Sequence, residues 1–149
     1  MLISQKCQYG LWAVFELAWR NSSEPAKIQT LAEAQGIPPR FLEVILSELK
    51  TGGFVESRRG KSGGYLLARE PSELTVGEII RHVQGPVDIA NGNGGNGHKK
   101  VQARGEHAFG ALWENARVSV TQICDSTTFA QLVEEEKNRV QQYVPNYTI

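Results

Sequence analysis

Cysteine is scarce in this chain of 149 residues, and long apolar runs are absent from it. The two cysteines, Cys7 and Cys124, are too few for the disulfide framework of a small secreted protein. No apolar stretch approaches the roughly 20 residues that a transmembrane helix needs, and the first residues lack a signal-peptide pattern. We therefore expect a cytoplasmic protein with no membrane partner.

Net charge is absent as well, because 16 basic residues are matched by 16 acidic ones. Total charge therefore does not indicate a nucleic-acid partner, and the distribution of charge becomes the useful signal. Five basic residues and a single acid, Glu56, lie between Lys50 and Arg69, whereas three glutamates stand together at 134–136. Basic charge is thus concentrated in one short segment.

Catalytic signatures are also missing. The chain contains no Walker A loop, nucleophile elbow or zinc-protease motif. A nucleotide-binding glycine-rich loop lies between a strand and the helix that follows it. The glycine-rich tracts of this chain do not have that position, so we do not expect them to bind a nucleotide. The histidines His82, His98 and His107 lack metal-ligand spacing among themselves. These absences argue against an enzyme.

Residues 28–69 contain the most informative pattern. Ile28, Leu31 and Ala32 are spaced as one face of a short helix, which Gly36 ends. Pro39 suits the first position of a second helix, because its missing N–H would be unpaired there. The second helix is predicted to direct four side chains inward: Leu42, Ile45, Leu46 and Leu49.

A β-hairpin is predicted directly after these helices. Residues 54–57 and 65–68 read as strands around the basic, glycine-rich tip at 58–64. Helix, turn, helix and wing is the arrangement that places one helix in the major groove and a basic loop beside it. The expected fold class is mainly α with a small β-wing, a winged helix-turn-helix domain followed by a long dimerisation helix.

The flanking segments complete a three-part organisation. Ser4 is the predicted N-cap of a first helix over residues 4–20, and Thr75 with Glu78 has the spacing of a capping box. Residues 89–105 are rich in glycine and asparagine and carry too few apolar residues to order themselves. We predict a DNA-binding domain at 1–86, a flexible effector loop at 87–105, and the dimerisation and C-terminal helices at 106–149.

Apolar residues recur at spacings of three and four along a long helix that begins at Glu106. They are Phe109, Leu112, Trp113, Ala116, Val120 and Ile123. A helix this apolar at the end of a small domain needs another surface to cover it. The same helix of a second copy of the chain is the simplest candidate. A last helix, capped by Ser126 or Thr127, is predicted to direct four residues inward: Phe129, Leu132, Val133 and Val140.

Three motifs together resemble the Rrf2 family of bacterial transcription regulators. They are Ser4-x-Lys6-x-x-Tyr9, Arg59-Gly60-x-x-Gly63-Gly64-Tyr65-x-Leu67 and Leu74-Thr75-Val76-Gly77-Glu78-Ile79-Ile80. The match runs from Ser4 through Gly85 and less closely through Leu132 and Val133. The resemblance implies a winged-helix homodimer that binds double-stranded DNA at a palindromic operator. It also implies a regulator, in our interpretation a repressor, that a small molecule or a protein effector modulates.

The resemblance also implies roles for individual residues. Arg59 matches the wing arginine that enters the minor groove, and Glu43 matches an acid that can accept from a cytosine amino group. Lys6 and Tyr9 match positions near the DNA backbone. The full predicted DNA-binding set is Lys6, Tyr9, Arg40, Phe41, Glu43, Val44, Arg58, Arg59, Lys61 and Ser62. Arg40 and Val44 differ from other members, and Lys61 and Ser62 replace the usual proline and glycine, so no relative supplies the operator sequence.

Each of these roles has a simpler alternative. The wing cations could be a solvated hairpin tip, although two arginines and a lysine among glycines beside a helix-turn-helix favour contact with DNA. Glu43 is as compatible with an ordinary surface acid. As a whole, the chain could be a winged-helix protein-interaction module, in which the long helix and the acidic tail bind a protein and DNA binding is incidental.

Many Rrf2 members hold an iron–sulfur cluster through three cysteines in the loop before the long helix. Here the segment Asn91-Gly92-Asn93-Gly94-Gly95-Asn96 stands in their place. A lone histidine, His107, does not make such a site, because thiolates hold these clusters. The resemblance therefore predicts no cluster of the usual kind and no cofactor. An unusual metal site formed by Cys7, His107 and loop residues across a dimer is the alternative.

The two cysteines are candidate redox thiols. Free cysteine is usually buried and inert, and this reading is favoured for both Cys7 and Cys124. The alternative for Cys7 is a reactive thiolate, whose pKa the helix N-terminus and nearby Lys6 would lower. His98, beside Lys99 and Lys100, is read as part of an exposed polar loop, with an anion contact as the alternative.

Overall fold

The computed structural model describes residues 3–89 and 104–143. Its helices are α1 (Gln5–Arg20), α2 (Ile28–Gln35), α3 (Pro39–Thr51), α4 (Val76–Gln84), α5 (Glu106–Ser126) and α6 (Phe129–Gln142). The strands are β1 (Val55–Arg58) and β2 (Gly64–Leu67), and a short 3-10 turn covers Pro71–Glu73. Six helices and one antiparallel two-stranded sheet in the described part of the chain confirm the predicted fold class.

Helix ends follow the local signals in the sequence. The Ser4 hydroxyl accepts from the Cys7 amide at 3.1 Å, and Gly36 ends α2 in the left-handed conformation at φ 64°. Thr75 and Glu78 form a reciprocal capping box on α4. The Glu78 amide donates to the Thr75 hydroxyl at 3.3 Å, and the Thr75 amide donates to the Glu78 carboxylate at 3.0 Å. These three predictions are confirmed.

The core lies where α1, α2, α3 and α6 meet. The four residues predicted to face inward on α3 are all buried, as are Ala13, Val14 and Leu17 on α1. This burial fixes the rotation of α3, because its apolar stripe can face only inward. The opposite face of α3 is therefore held in solvent.

Both strands of the wing lie one residue closer to its tip than the sequence predicts. Val55 pairs with Leu67 and Arg58 pairs with Gly64, whereas 54–57 and 65–68 were expected to form the strands. The Phe54 amide donates to the Leu49 carbonyl at the end of α3, at 3.0 Å, so β1 starts one residue later. At the other end, Arg58 belongs to strand β1 and not to the tip.

A third segment, which the sequence did not predict, extends the wing. Ala26 and Tyr65 exchange two backbone hydrogen bonds, each 2.8 Å long. Gly64 is needed beside this bridge because a β-carbon there would lie 2.3 Å from the Ala26 carbonyl oxygen. The backbone of Gly64 also has φ 153°, which side chains rarely adopt. The loop before α2 is thereby attached to strand β2 of the wing, close to the wing tip.

Helix α6 folds back onto the part of the chain that is predicted to bind DNA. Phe129 and Val133 are buried in the main core. A bridge between Thr75 and Thr128 joins the start of α4 to the start of α6. The last helix, grouped from sequence with the dimerisation segment, therefore contributes to the core beneath the helix-turn-helix.

Two sequence predictions for α6 are wrong. Its N-cap is Thr128, whose hydroxyl accepts from the Gln131 amide at 3.2 Å, and not Ser126 or Thr127. The hydroxyls of Ser126 and Thr127 donate instead to carbonyls of α5, which continues to Ser126. Val140 is 54% exposed rather than inward, because it lies beyond the part of α6 that packs on the core.

Candidate nucleic-acid interface

The outer face of α3 carries a mixture of charged and apolar side chains. Arg40 and Glu43 are exposed there. Phe41 and Val44 are exposed to 62% and 58% of their surface, which is high for side chains without polar groups. Two apolar residues held in solvent by a well-packed helix suggest a surface that another molecule covers.

An apolar cleft of about 410 Å³ lies between the start of α1 and α3. Its lining residues are Gln5, Lys6, Tyr9, Phe41, Val44 and Ile45. The structure thus brings four predicted site residues from two separate helices to one place. Sequence reasoning missed Gln5, whose amide Nε2 donates to the Tyr9 hydroxyl at 2.8 Å. The four-residue spacing of Gln5 and Tyr9 on α1 was the available signal.

Lys6 reaches the same region through an ion pair. Its ammonium lies 2.7 Å from the Glu48 carboxylate on α3. Both side chains are a little less than half exposed, so the pair contributes little to stability and can exchange for a phosphate contact. Lys6 therefore lies beside the recognition surface with its charge partly satisfied.

The wing tip is a tight turn that exposes basic side chains. The Gly63 amide donates to the Gly60 carbonyl at 3.0 Å, and a β-carbon on Gly63 would lie 2.3 Å from the Arg58 carbonyl oxygen. Glycine at this position therefore allows the chain to reverse. Arg59, Lys61 and Ser62 are exposed on the tip.

Several nearby cations are engaged within the protein. Arg58 lies 3.5 Å from Glu56, and the Lys50 ammonium donates to the Ser57 hydroxyl at 2.6 Å. By contrast, among the described residues the structure shows no hydrogen-bond or ion-pair partner for three basic residues of α3 and the wing tip. They are Arg40, Arg59 and Lys61. These three carry the charge most readily available to a phosphate backbone.

Arg69, at the far end of the wing, has a structural role. Its guanidinium pairs with Glu78 at 3.0 Å and lies 5.5 Å from the centre of the Phe54 ring. Burial raises the pKa of Glu78, but the Thr75 amide and Arg69 together outweigh this effect and hold the pKa below its ordinary value. The contact joins the wing to the start of α4.

Helix α5 presents a large uncovered apolar surface. None of its residues is buried. Phe109 and Ile123 are exposed to 59% and 64%, and the rings of Phe109 and Trp113 stack with centroids 6.4 Å apart. Val120 differs, because it is half-buried against a small cluster that includes Ile80. Of the six residues predicted for dimerisation, Leu112 is also exposed, whereas Ala116 is half-buried.

Both cysteines belong to one apolar cluster between α1, α4 and α5. Cys7 is fully buried beside Ile80 and Val87, and Cys124 packs against the same cluster. Burial raises the pKa of the Cys7 thiol to about 11. Burial, with a smaller effect of Asp125, also raises the pKa of Cys124. The favoured reading of Cys7 as a buried residue agrees with the structure, whereas the alternative of a lowered pKa is wrong, because desolvation by burial dominates.

The structure offers no preformed metal site in the ranges 3–89 and 104–143, where no three His, Cys, Asp or Glu side chains cluster. His82 makes local contacts instead, with Nε2 2.8 Å from the Glu48 carbonyl and its ring edge-on to Phe54. His98 and the segment at 91–96 lie outside the described residues. In the described ranges, no helix is both long and apolar enough to cross a membrane.

Comparison with known proteins places this geometry in a family. The Rrf2 profile, described as an iron-dependent transcriptional regulator, matches residues 3–135. The HTH-type transcriptional regulator CymR of Bacillus subtilis is 35% identical over 132 residues, which cover 89% of either chain. The HTH-type transcriptional regulator IscR of Klebsiella pneumoniae is 31% identical over 137 residues, covering 92% of this chain and 82% of that one.

Solved structures agree with the sequence comparisons. CymR, the global cysteine regulator of B. subtilis, superposes with a TM-score of 0.76 at 32% identity, covering 91% of this chain and 98% of that one. IscR of T. potens superposes with a TM-score of 0.74 at 30% identity, covering 93% and 90%. These relatives are regulators and not enzymes, and they favour DNA binding over the interaction-module alternative. The chain belongs to the Rrf2 family of winged-helix, DNA-binding transcriptional regulators.

Proposed function

We propose that this protein is a homodimeric repressor that binds a palindromic operator, with α3 in the major groove and the wing beside it in the minor groove. The observation that carries the proposal is the exposed outer face of α3 next to a basic wing tip. Since both features are held by buried contacts, they are preformed for docking onto a duplex. Such a protein acts in the cytoplasm, where a bacterial chromosome lies.

The proposed dimer follows from α5. Its exposed apolar side chains, which include Phe109, Trp113 and Ile123, would cover the same residues of a second copy. A two-fold interface uses one patch twice, so a single helix suffices to build it. Two reading heads related in this way would contact half-sites about 10 base pairs apart, or a multiple of that spacing.

Specific roles can then be proposed for the polar residues. Glu43, exposed in the first half of α3, would accept a hydrogen bond from a cytosine amino group. Arg59 would enter the minor groove from the wing tip. Arg40 and Lys61 would contact phosphates, which orient the protein without reading sequence. In a repressor, occupancy of the operator by these contacts excludes the transcription machinery.

An effector is proposed to modulate this binding. The segment predicted to receive it, 87–105, lies mostly outside the described residues. A small molecule or a partner protein would act there and change the relative positions of the two reading heads. Deleting residues 91–96 tests this part separately, because an unchanged response to the effector after the deletion would contradict it.

The family model is described as iron-dependent, but the residues of this chain do not fit the iron–sulfur cluster that many Rrf2 members hold. The chain has two cysteines, and both lie in an apolar cluster where burial raises the thiol pKa. Cluster ligation needs thiolates. We therefore infer that regulation does not pass through a thiolate-held cluster. Iron and sulfide analysis of protein purified without oxygen tests this inference, and stoichiometric amounts of both would overturn it.

The decisive experiment selects binding sequences from a random duplex library and then measures affinity at several salt concentrations. Arg40, Arg59 and Lys61 of each protomer are together expected to displace the counterions of about six phosphates per dimer. At about −0.9 per neutralised phosphate, the slope of log K against log salt should be roughly −5. Arg59→Ala should reduce its magnitude by about 2, because the dimer loses two cations.

Arg139→Ala is the matched control, because Arg139 is an exposed arginine on α6, away from α3 and the wing. It should leave the affinity and the salt slope unchanged. A two-fold symmetric operator and a loss confined to Arg59→Ala would support the proposal. Weak binding without an enriched sequence, equally affected by both variants, would refute it.

A further inference from the structure

The apolar part of the α3 surface has no role in the contacts proposed above. Phe41 and Val44 are the third and sixth residues of α3, in the half of a recognition helix that contacts base edges. Both are largely exposed, and both line the cleft between α1 and α3. Neither side chain can form a hydrogen bond with a base, so any sequence that they read must be read through apolar contact.

The major groove contains one apolar group that such a surface can recognise. Among the four bases, only thymine projects a methyl group, at C5, into that groove. The cleft is largely apolar and open, and Tyr9 and Ile45 extend it behind the two exposed residues. Lys6 lines the cleft, and Arg40 is exposed beside Phe41 in the sequence of α3, so both cations suit contact with phosphates near the base that is read.

We propose that Val44 and Phe41 form a methyl-reading patch, which selects thymine in each half-site of the operator. This inference rests on the proposed function, since it assigns a base preference to the same recognition helix. Glu43 lies between the two apolar residues in sequence, so its cytosine and the selected thymine should lie within a step or two of one another. The half-site is therefore expected to combine a cytosine with a neighbouring thymine.

The test replaces thymine by deoxyuridine in the selected operator, one symmetric pair of positions at a time. This change removes only the methyl group and leaves base pairing and the phosphates unaltered. At one or more positions the wild-type protein should bind about fourfold more weakly per half-site, which is the effect of one methyl group that is no longer buried. Binding is measured by fluorescence anisotropy at a fixed salt concentration.

Two variants separate the patch from other sources of methyl sensitivity. Val44→Ala should bind the thymine operator more weakly and lose most of its preference for thymine over uracil. Val44→Ile, which keeps a β-branched apolar side chain, should retain that preference. Because Val44 is mostly exposed, neither change is expected to disturb folding.

Three results would overturn the inference. The first is specific binding by the wild-type protein with unchanged affinity for every uracil duplex, which leaves the regulator function intact. The second is methyl sensitivity that persists undiminished in Val44→Ala and Phe41→Ala. The third is a loss of dimerisation in Val44→Ala without any change in base preference, which would assign the cleft to a second copy of the chain. Failure to select any operator would refute the proposed function together with the inference.

Discussion

Gly77→Ala is expected to destabilise the protein by about 1–2 kcal/mol, although alanine is the better helix former. Gly77 lies in the first turn of α4, where α4 meets the end of α5. A β-carbon there would lie 1.8 Å from Oδ1 of Asp125 and 3.1 Å from the Asp125 backbone nitrogen. The carboxylate must therefore leave its position, and the two helices must separate slightly.

The magnitude follows from opposing contributions. Alanine stabilises a helix interior by about 1 kcal/mol relative to glycine. Against this, the displaced Asp125 loses its exposed ion pair with Arg81, which contributes at most about 1 kcal/mol. Overpacking against the Asp125 side chain, and to a lesser degree against its backbone nitrogen, adds about 1–3 kcal/mol. The unfavourable effects therefore exceed the gain in helix propensity.

A double-mutant cycle with Asp125→Ala provides the assay and its control. Urea unfolding of the four proteins is compared at one protomer concentration, because dimerisation would otherwise alter the apparent stability. Asp125→Ala alone should cost less than about 1 kcal/mol, and adding Gly77→Ala to it should cost much less than in the wild-type background. A stabilising Gly77→Ala, or an equal loss in both backgrounds, would refute the close approach of α4 and α5.

Three further predictions concern the cap, the thiols and the wing. Because the folded pKa of Glu78 is lowered, its stabilising effect is present above the unfolded pKa of about 4.3 and is lost as the pH falls through the folded value. Melting temperatures should therefore fall less steeply with acid for Glu78→Gln than for the wild type, and parallel curves would contradict this. Native Cys7 should resist a thiol-specific reagent at pH 8 and react only in urea, since it is buried with a pKa of about 11. The Cys7→Ser variant, which keeps only Cys124, shows how fast Cys124 reacts in the native protein. Rapid labelling of both thiols in the native wild type would contradict the burial of Cys7. Gly64→Ala should lower the free energy of unfolding by at least about 2 kcal/mol and weaken DNA binding, because the new β-carbon would collide with the backbone of Ala26. If the variant unfolds at the same urea concentration as the wild type, the backbones of Gly64 and Ala26 are not in close contact.

Local signals predicted most of the fold. Capping by Ser4 and Thr75, the stop at Gly36 and the apolar stripe of α3 each depend on residues within one or two helical turns. The structure confirms all four. The exposed face of α3 could be anticipated for the same reason, because the position of the buried stripe determines it.

Contacts between distant segments were not predictable in this way. The bridge from Ala26 to Tyr65 joins residues 39 positions apart, and no periodicity marks it. The N-cap of α6 was placed too early because the bridge from Thr128 to Thr75 selects the start of that helix. The pKa of Cys7 depends on burial by α4 and α5, which outweighs the neighbouring charge visible in sequence.

The position of α4 suggests how the long helix and the recognition helix influence one another. Two consecutive residues of α4 contact different partners: Arg81 pairs with Asp125 at the end of α5, and His82 lies 2.8 Å from the Glu48 carbonyl on α3. Helix α4 also packs on α1, and Gly77 lets α5 approach it closely. A displacement of α5 relative to α3 must therefore either move α4 as a unit or break one of these two contacts. Because the buried face of α4 resists separation from α1, movement of α1, α3 and α4 as one rigid unit is the less costly response. In the dimer proposed above, an effector that displaces the two α5 helices would therefore change the distance between the two α3 helices, and each α3 helix would keep its internal structure.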